Sequence, residues 1–209
     1  MLVDAKCKKC KSFKEKLFLK SERCYSPKCP MLRQKITRGR KKGRSSGRIS
    51  TSEYGRQLLE KQKVKINYGL SERQLKKYFN EAFAKKGSTP DLLAKRLEMR
   101  FDSIIFTLGF AASKSIARQL TTHGHFMLNG KRHDIPSSLV KINDEISIRP
   151  QSQKLAIFQN FKEKLQKHDI PKWLSLDIDN LKAKVLSDPD VKELSLPYNF
   201  SLIVEFYSR

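Results

Sequence analysis

The sequence predicts an α+β fold in three parts: an N-terminal cysteine knuckle, a helical domain, and a helix-plus-β-hairpin module with a small mixed or antiparallel sheet. Three observations predict it. Four cysteines crowd into the first 29 of 209 residues. Three stretches of helical periodicity with readable caps follow. An Asn129-Gly130 pair then separates short alternating segments, which is the strongest short-range signal of a tight hairpin.

Cys7, Cys10, Cys24 and Cys29 are spaced C-x2-C, thirteen residues, then C-x4-C. Two close pairs joined by a short loop bring four sulfurs to one point, the donor set of tetrahedral zinc. Lys6, Lys8, Lys9, Lys11 and Lys28 flank them and favour the thiolate form. Pro27 and Pro30 suit the tight turn of a zinc knuckle. Disulfides compete with this reading, but a reducing cytosol disfavours them. Redox C-x-x-C chemistry also competes, but the βαβ setting usual for it is missing. One structural zinc ion is therefore expected. With sulfur at all four positions, no metal-bound water would remain for catalysis. The metal would fold a segment too small to hold itself together.

Residues 33–50, RQKITRGRKKGRSSGRIS, are basic and rich in Gly and Ser. They have little to bury, so they are expected to be extended or disordered until RNA orders them. Ser52 then caps a helix to residue 67, with Gly69 beyond it. Ser71 opens a second helix, and Gln74 three residues later completes a capping box. Leu75, Tyr78, Phe79, Ala82 and Phe83 share one face of it, while Arg73, Lys76, Lys77 and Lys85 fall elsewhere. Gly87 ends it. Thr89 and Pro90 start a third helix, whose apolar stripe is Leu93, Leu97, Phe101, Ile104, Ile105 and Leu108. All these stripes read as core rather than as ligand sites.

The module comes next. Ser113 caps a short helix carrying Lys114, Arg118 and Gln119, and Gly124 closes it. Phe126 and Leu128 alternate with Met127 before the turn, and Lys131, Arg132 and His133 continue into the return strand. A further strand is expected at 145–149, after a turn at Asn143-Asp144. The remainder predicts a helix at 152–166 and strands near 173–177 and 182–186. A final strand at 201–207 is expected from β-propensity.

Lys and Arg number 44 against 21 Asp and Glu, giving +23. A small soluble domain usually carries a net charge of magnitude about 2 to 8. Such an excess repels itself unless a polyanion neutralises it, and phosphate backbones do so with release of counterions. A membrane surface is the other anionic candidate. No apolar run approaches the roughly 20 residues needed to span a bilayer, and MLVDAKCKKCK has no signal-peptide core. A cytosolic protein without membrane contact is expected. The cations are spread along the whole chain, which suits wrapping by RNA. Lys114 and Arg118, expected to be exposed on their helix beside a turn carrying Lys131 and Arg132, suit a bent RNA backbone better than base-edge reading.

Catalysis has little support. Asp102 and Asp134 have local roles available in helix polarity and turn capping. His123, His125, His133 and His168 sit among basic residues, and His123 and His125 flank a helix end. GRKKGRSSGR lacks the GK[ST] of a phosphate loop. The unit does not resemble a recognition helix filling a DNA major groove. An RNA-modifying enzyme such as a pseudouridine synthase, sharing the same module, is the alternative reading.

Several segments together resemble the bacterial small-subunit ribosomal protein four family. They are LKSERCYSPKCPM at 19–31, SEYGRQLLEKQKVKINYGLSERQLKKYFNEA at 52–82 and LEMRFDSIIFTLGFAASKSIARQLTTHGHFMLNGKRHDIPSSLVKINDEI at 97–146. WLSLDIDNLKAKVLSDP at 173–189 and LIVEFYSR at 202–209 complete the set. Lys114 and Thr122 stand where that family commonly has Arg. The resemblance implies a non-enzymatic primary binder of the 5′ domain of 16S rRNA, acting early in assembly of the small subunit. It implies neighbours in small-subunit proteins five and three, mRNA near the entry path, and an influence on decoding accuracy. It also implies a cytoplasmic or plastid ribosome and no homo-oligomer. The expected domains are 1–50 (zinc knuckle and basic extension), 51–90 plus about 190–209 (helical), and 91–189 (RNA-binding module). The expected RNA contacts are Arg38, Arg40, Lys41, Lys42, Arg44, Arg48, Arg56, Arg73, Lys76, Lys77, Arg100, Lys114, Arg118, Gln119, His123, His125, Asn129, Lys131 and Arg132.

Overall fold

The structure is a computed structural model that describes residues 6–33, 52–159, 165, 168–191, 193–194 and 196–209. Arg38, Arg40, Lys41, Lys42, Arg44 and Arg48 lie outside the described residues.

The N-terminal segment folds as α1 (Lys6–Phe13), α2 (Glu22–Tyr25) and α3 (Pro30–Arg33). Its own core is small: Cys10, Leu17 and Leu19, with Phe13, Met31 and Ile66 packed against them. Ile66 belongs to the next helix, so this segment rests on the helical part of the chain.

That part begins with α4 (Glu53–Asn67) and α5 (Glu72–Phe83). Ser52 caps α4 by accepting from the Gly55 N–H, and Ser71 caps α5 by accepting from Gln74. The return half of the expected capping box is not made, because the Gln74 side chain donates to the Tyr78 hydroxyl at 3.0 Å. α5 buries Leu75, Tyr78, Phe79 and Ala82 as its spacing predicts, whereas Phe83 is 63% exposed. Leu75, Tyr78 and Ala82 share a core with Val64, Tyr68, Leu70, Leu93, Ala94, Leu97, Phe200 and Ile203.

The expected third helix is two helices, α6 (Thr89–Glu98) and α7 (Phe101–Thr107). Arg100 between them has extended backbone, φ −73° and ψ 144°. The chain leaves the helical path there to pair with the loop before β3. Phe101 N–H donates to Ser138 O at 3.0 Å, Asp102 N–H to Pro136 O at 3.1 Å, and Val140 N–H to Met99 O at 3.0 Å. Neither Gly nor Pro marks the break. The two halves serve different cores: Leu93, Ala94 and Leu97 face the helical one, while Phe101, Ile104, Ile105 and Leu108 face the module. The helical core thus reaches residues beyond 90.

The module comprises α8 (Lys114–Thr122), β1 (Phe126–Leu128), β2 (Lys131–His133) and β3 (Glu145–Ile148). Asn129 at φ 51° and Gly130 at φ 76° form the expected turn between β1 and β2. Where a helix at 152–166 is expected, the described residues show two single turns, α9 (Pro150–Gln153) and α10 (Ala156–Gln159), and helical backbone again at Leu165, while 160–164 and 166 lie outside the described residues. β4 (Leu174–Asp177) and β5 (Lys182–Val185) complete one sheet of order β2-β1-β3-β5-β4, antiparallel at every pairing. Phe126, Ile146, Ile148, Ala183 and Val185 pack its inner face onto α7 and α8.

The final expected strand is instead a helix, α11 (Phe200–Tyr207). Asn199 caps it, its side chain accepting from the N–H groups of Ser201 and Leu202. Phe200, Ile203 and Tyr207 recur at i, i+3 and i+7 on the face that meets the helical core. Tertiary packing overrides the β-propensity of the segment. No helix among the described residues is long and apolar enough to cross a membrane.

Candidate nucleic-acid interface

The site is built where α8 runs into the hairpin. Ser113 caps the start of α8 by accepting from the Ile116 N–H at 3.4 Å. Ala117 and Leu120 pin the helix to the core, which turns Gln119, Thr122 and His123 outward. Gly124 N–H donates to Thr121 O and His125 N–H to Leu120 O, the two bonds of a Schellman end. The chain then enters β1 directly. Lys131 and Arg132 on β2 are exposed, and among the described residues neither has a carboxylate partner. Lys131 and Arg132 therefore put two exposed cations on β2 beside the end of α8, where Gln119, Thr122 and His123 face outward.

Several expected contacts have other partners. Asn129 spends its carboxamide on the fold: Nδ2 donates to Asp144 at 2.8 Å, and Oδ1 accepts from the Glu145 N–H at 2.8 Å. His125 is half-buried, with Nδ1 3.0 Å from the Ser152 hydroxyl. Burial, then the neighbouring His123 and Arg149, hold its pKa below the ordinary histidine value. Arg118 is partly exposed and lies 3.5 Å from Asp102 without hydrogen-bond alignment.

Lys114 and Arg100 correct the expectation most sharply. Lys114 is not exposed: its ammonium donates to Glu98 at 2.9 Å and lies 3.5 Å over the Tyr68 ring, with only 14% of its side chain accessible. Tyr68 also donates to Glu98, as does Ser103 at 2.9 Å. Burial works to raise the Glu98 pKa, but the Lys114 charge and these hydrogen bonds prevail and keep it ionised. Arg100 has no exposed surface. Its guanidinium donates to Asp102 through two bonds and to the Tyr78 hydroxyl at 2.9 Å. Neither cation is presented to a phosphate. Both are buried because α6 and α7 bring their partners inside, which no local pattern in the sequence reveals. Arg56, Arg73, Lys76 and Lys77 are exposed on α4 and α5, with Lys77 3.9 Å from Glu81.

The cysteines form no disulfide, and Cys10, Cys24 and Cys29 are buried. Burial pushes the Cys10 thiol up. A backbone hydrogen bond from Leu17 opposes this, and Cys24, Cys7 and Cys29 push it further up. A cation beside Cys10 would relieve the push that the other three cysteines exert on its thiol. Among the described residues, no group of three or more His, Cys, Asp or Glu is arranged to hold a metal ion.

A capped helix leading into a tight hairpin, backed by an antiparallel sheet and edged with unpaired cations, is the architecture of a protein built around an S4 domain. The family model described as S4 domain matches residues 99–146, and that described as Ribosomal protein S4/S9 N-terminal domain matches residues 2–98. Over 203 residues the chain is 43% identical to small ribosomal subunit protein uS4 of Thermus thermophilus, covering 97% of this chain and 96% of that one. It is 44% identical over 208 residues to uS4 of Syntrophomonas wolfei, covering 99% and 98%. It is 42% identical over 207 residues to uS4A of Clostridium novyi, again covering 99% and 98%. The chain belongs to the small ribosomal subunit protein uS4 family.

Proposed function

We propose that this chain is a structural, non-enzymatic protein of the small ribosomal subunit that binds the 5′ domain of 16S rRNA early in assembly. The observation that carries the RNA contact is the pair of exposed cations on β2, Lys131 and Arg132, which have no carboxylate partner among the described residues, in a chain of net charge +23. Phosphates neutralise such a pair, and the counterions they release favour the complex. Gln119, His123, Lys131 and Arg132 are the module's first contacts. Arg56, Arg73, Lys76 and Lys77 extend the surface along the helical part, and the basic stretch from Arg38 to Arg48 adds further charge. As part of a ribosome the chain works in the cytoplasm, or in a plastid, as a single copy without membrane contact. Small-subunit proteins five and three and the incoming mRNA are its proposed neighbours, with an influence on decoding accuracy.

The proposed cofactor is one structural zinc held by Cys7, Cys10, Cys24 and Cys29. Its support is the spacing of the four residues and the push of Cys24, Cys7 and Cys29 on the Cys10 thiol. Zinc would supply the cation that lets buried thiolates sit together.

An RNA-modifying enzyme is disfavoured by Asp102, the carboxylate nearest the module core. Arg100 takes both its oxygens and Arg118 lies beside it, so it has no free edge for a substrate.

Filter binding tests the reading. The full chain is titrated against transcribed 16S 5′-domain RNA and against duplex DNA of equal charge at about 0.2 M salt, where non-specific phosphate binding is weak. Preference for the RNA is expected. Equal affinity for both overturns the assignment.

A further inference from the structure

Gly124 stands between α8 and β1 with φ +72°, a backbone conformation the Schellman end requires. That accounts for its backbone. It does not account for what lies above it. A β-carbon at this position would be 2.4 Å from Nε, 2.8 Å from Nη2 and 2.9 Å from Cζ of Arg132. The guanidinium occupies the space a side chain would fill.

Arg132 comes from β2, opposite Met127 in the β1–β2 register. Its side chain crosses the hairpin to the end of α8. Among the described residues it makes no hydrogen bond or ion pair, so its donors are free. The C-terminal carbonyls of a helix carry partial negative charge and attract a cation. The missing side chain of Gly124 lets the guanidinium come close enough to use that attraction. An arginine on an edge strand would otherwise sample many rotamers and lose that freedom on binding.

We infer that Gly124 is a positioning residue for RNA binding: its bare α-carbon is the seat that holds the Arg132 guanidinium at the end of α8, beside His123, aimed at a phosphodiester oxygen. The inference rests on the RNA-binding reading above and deepens it. Gly124 acts through Arg132 and touches no RNA itself.

A double-mutant cycle tests it, with the full chain and transcribed 16S 5′-domain RNA at about 0.2 M salt. Arg132→Ala weakens binding about tenfold, the loss of one charge-assisted contact. Gly124→Ala weakens it by a similar factor, and the double variant binds no more weakly than Arg132→Ala alone. Thermal melting runs alongside: Gly124→Ala lowers the Tm through left-handed strain in both backgrounds, so stability and affinity separate. Three outcomes overturn the inference: wild-type affinity for Gly124→Ala, full additivity in the double variant, or wild-type affinity for Arg132→Ala. A wild-type chain that binds the RNA no better than equal-charge duplex DNA overturns the RNA reading instead, so the two failures are distinct.

Discussion

Arg100 donates to both oxygens of Asp102, from Nε at 2.9 Å and from Nη2 at 2.6 Å, with no part of the arginine exposed to solvent. The two residues are neighbours at the break between α6 and α7. Tyr78 of α5 binds the same guanidinium at 2.9 Å, so the pair ties the helical core to the module. Asp102→Ala would strand a buried charge. A loss of about 3–5 kcal/mol is expected, measured by urea unfolding. A loss below about 1 kcal/mol would mean water reaches the site.

Lys114 gives a prediction that separates fold from binding. Its ion pair with Glu98 is buried, so Lys114→Met should cost stability on the scale of a broken buried pair, about 3 kcal/mol. The salt dependence of RNA affinity should keep its slope. A slope reduced by about 1 would instead make Lys114 a phosphate contact.

Lys131 and Arg132 should behave in the opposite way. Both are exposed on β2. Lys131→Glu with Arg132→Glu should leave the Tm nearly unchanged, weaken RNA binding, and lower the slope of log affinity against log salt by about 2. Unchanged binding in a filter assay would turn this edge away from RNA.

Glu72 supplies an acid-sensitive contact. Burial would raise its pKa, but hydrogen bonds from Lys61, Tyr207 and Lys65 bring it down to about 2, below the ordinary 4.5. A carboxylate depressed in the folded state adds stability that is complete above about pH 4.5 and fades as pH falls toward about 2. Tyr207 lies on α11 and the two lysines on α4, so the contact fastens the C-terminal helix. Glu72→Gln should lower the Tm at pH 6 and converge with the parent near pH 2 in calorimetry. A constant gap across that range would discount the contact.

The cysteines are tested by metal analysis. One zinc per chain is expected, and Cys24→Ser should lose it and unfold the first 30 or so residues while the rest melts as before. A zinc-free parent chain would remove the proposed ligand set.

The helix starts at Ser52, Ser71 and Ser113, the end at Gly124 and the Asn129-Gly130 turn were legible because each is a local event. A side chain meets a backbone group three residues away, or a φ sign selects its residue type. The alternation at 126–128 and the cationic edge at Lys131 and Arg132 were legible for the same reason. The long-range outcomes were not. Residues 201–207 looked like a strand by propensity, yet Asn199 caps them as a helix against the core of α4 to α6.

What the sequence determined by itself was the set of local punctuation marks, the charge, the class of partner and the family pattern. What only the tertiary structure decided was which cations face outward. Arg100, Lys114 and Arg118 read alike as candidate RNA contacts, and nothing in their spacing distinguishes them. A buried cation is tolerated only where a carboxylate meets it. Asp102 and Glu98 meet these two because the chain breaks at Arg100 and sends its halves into different cores.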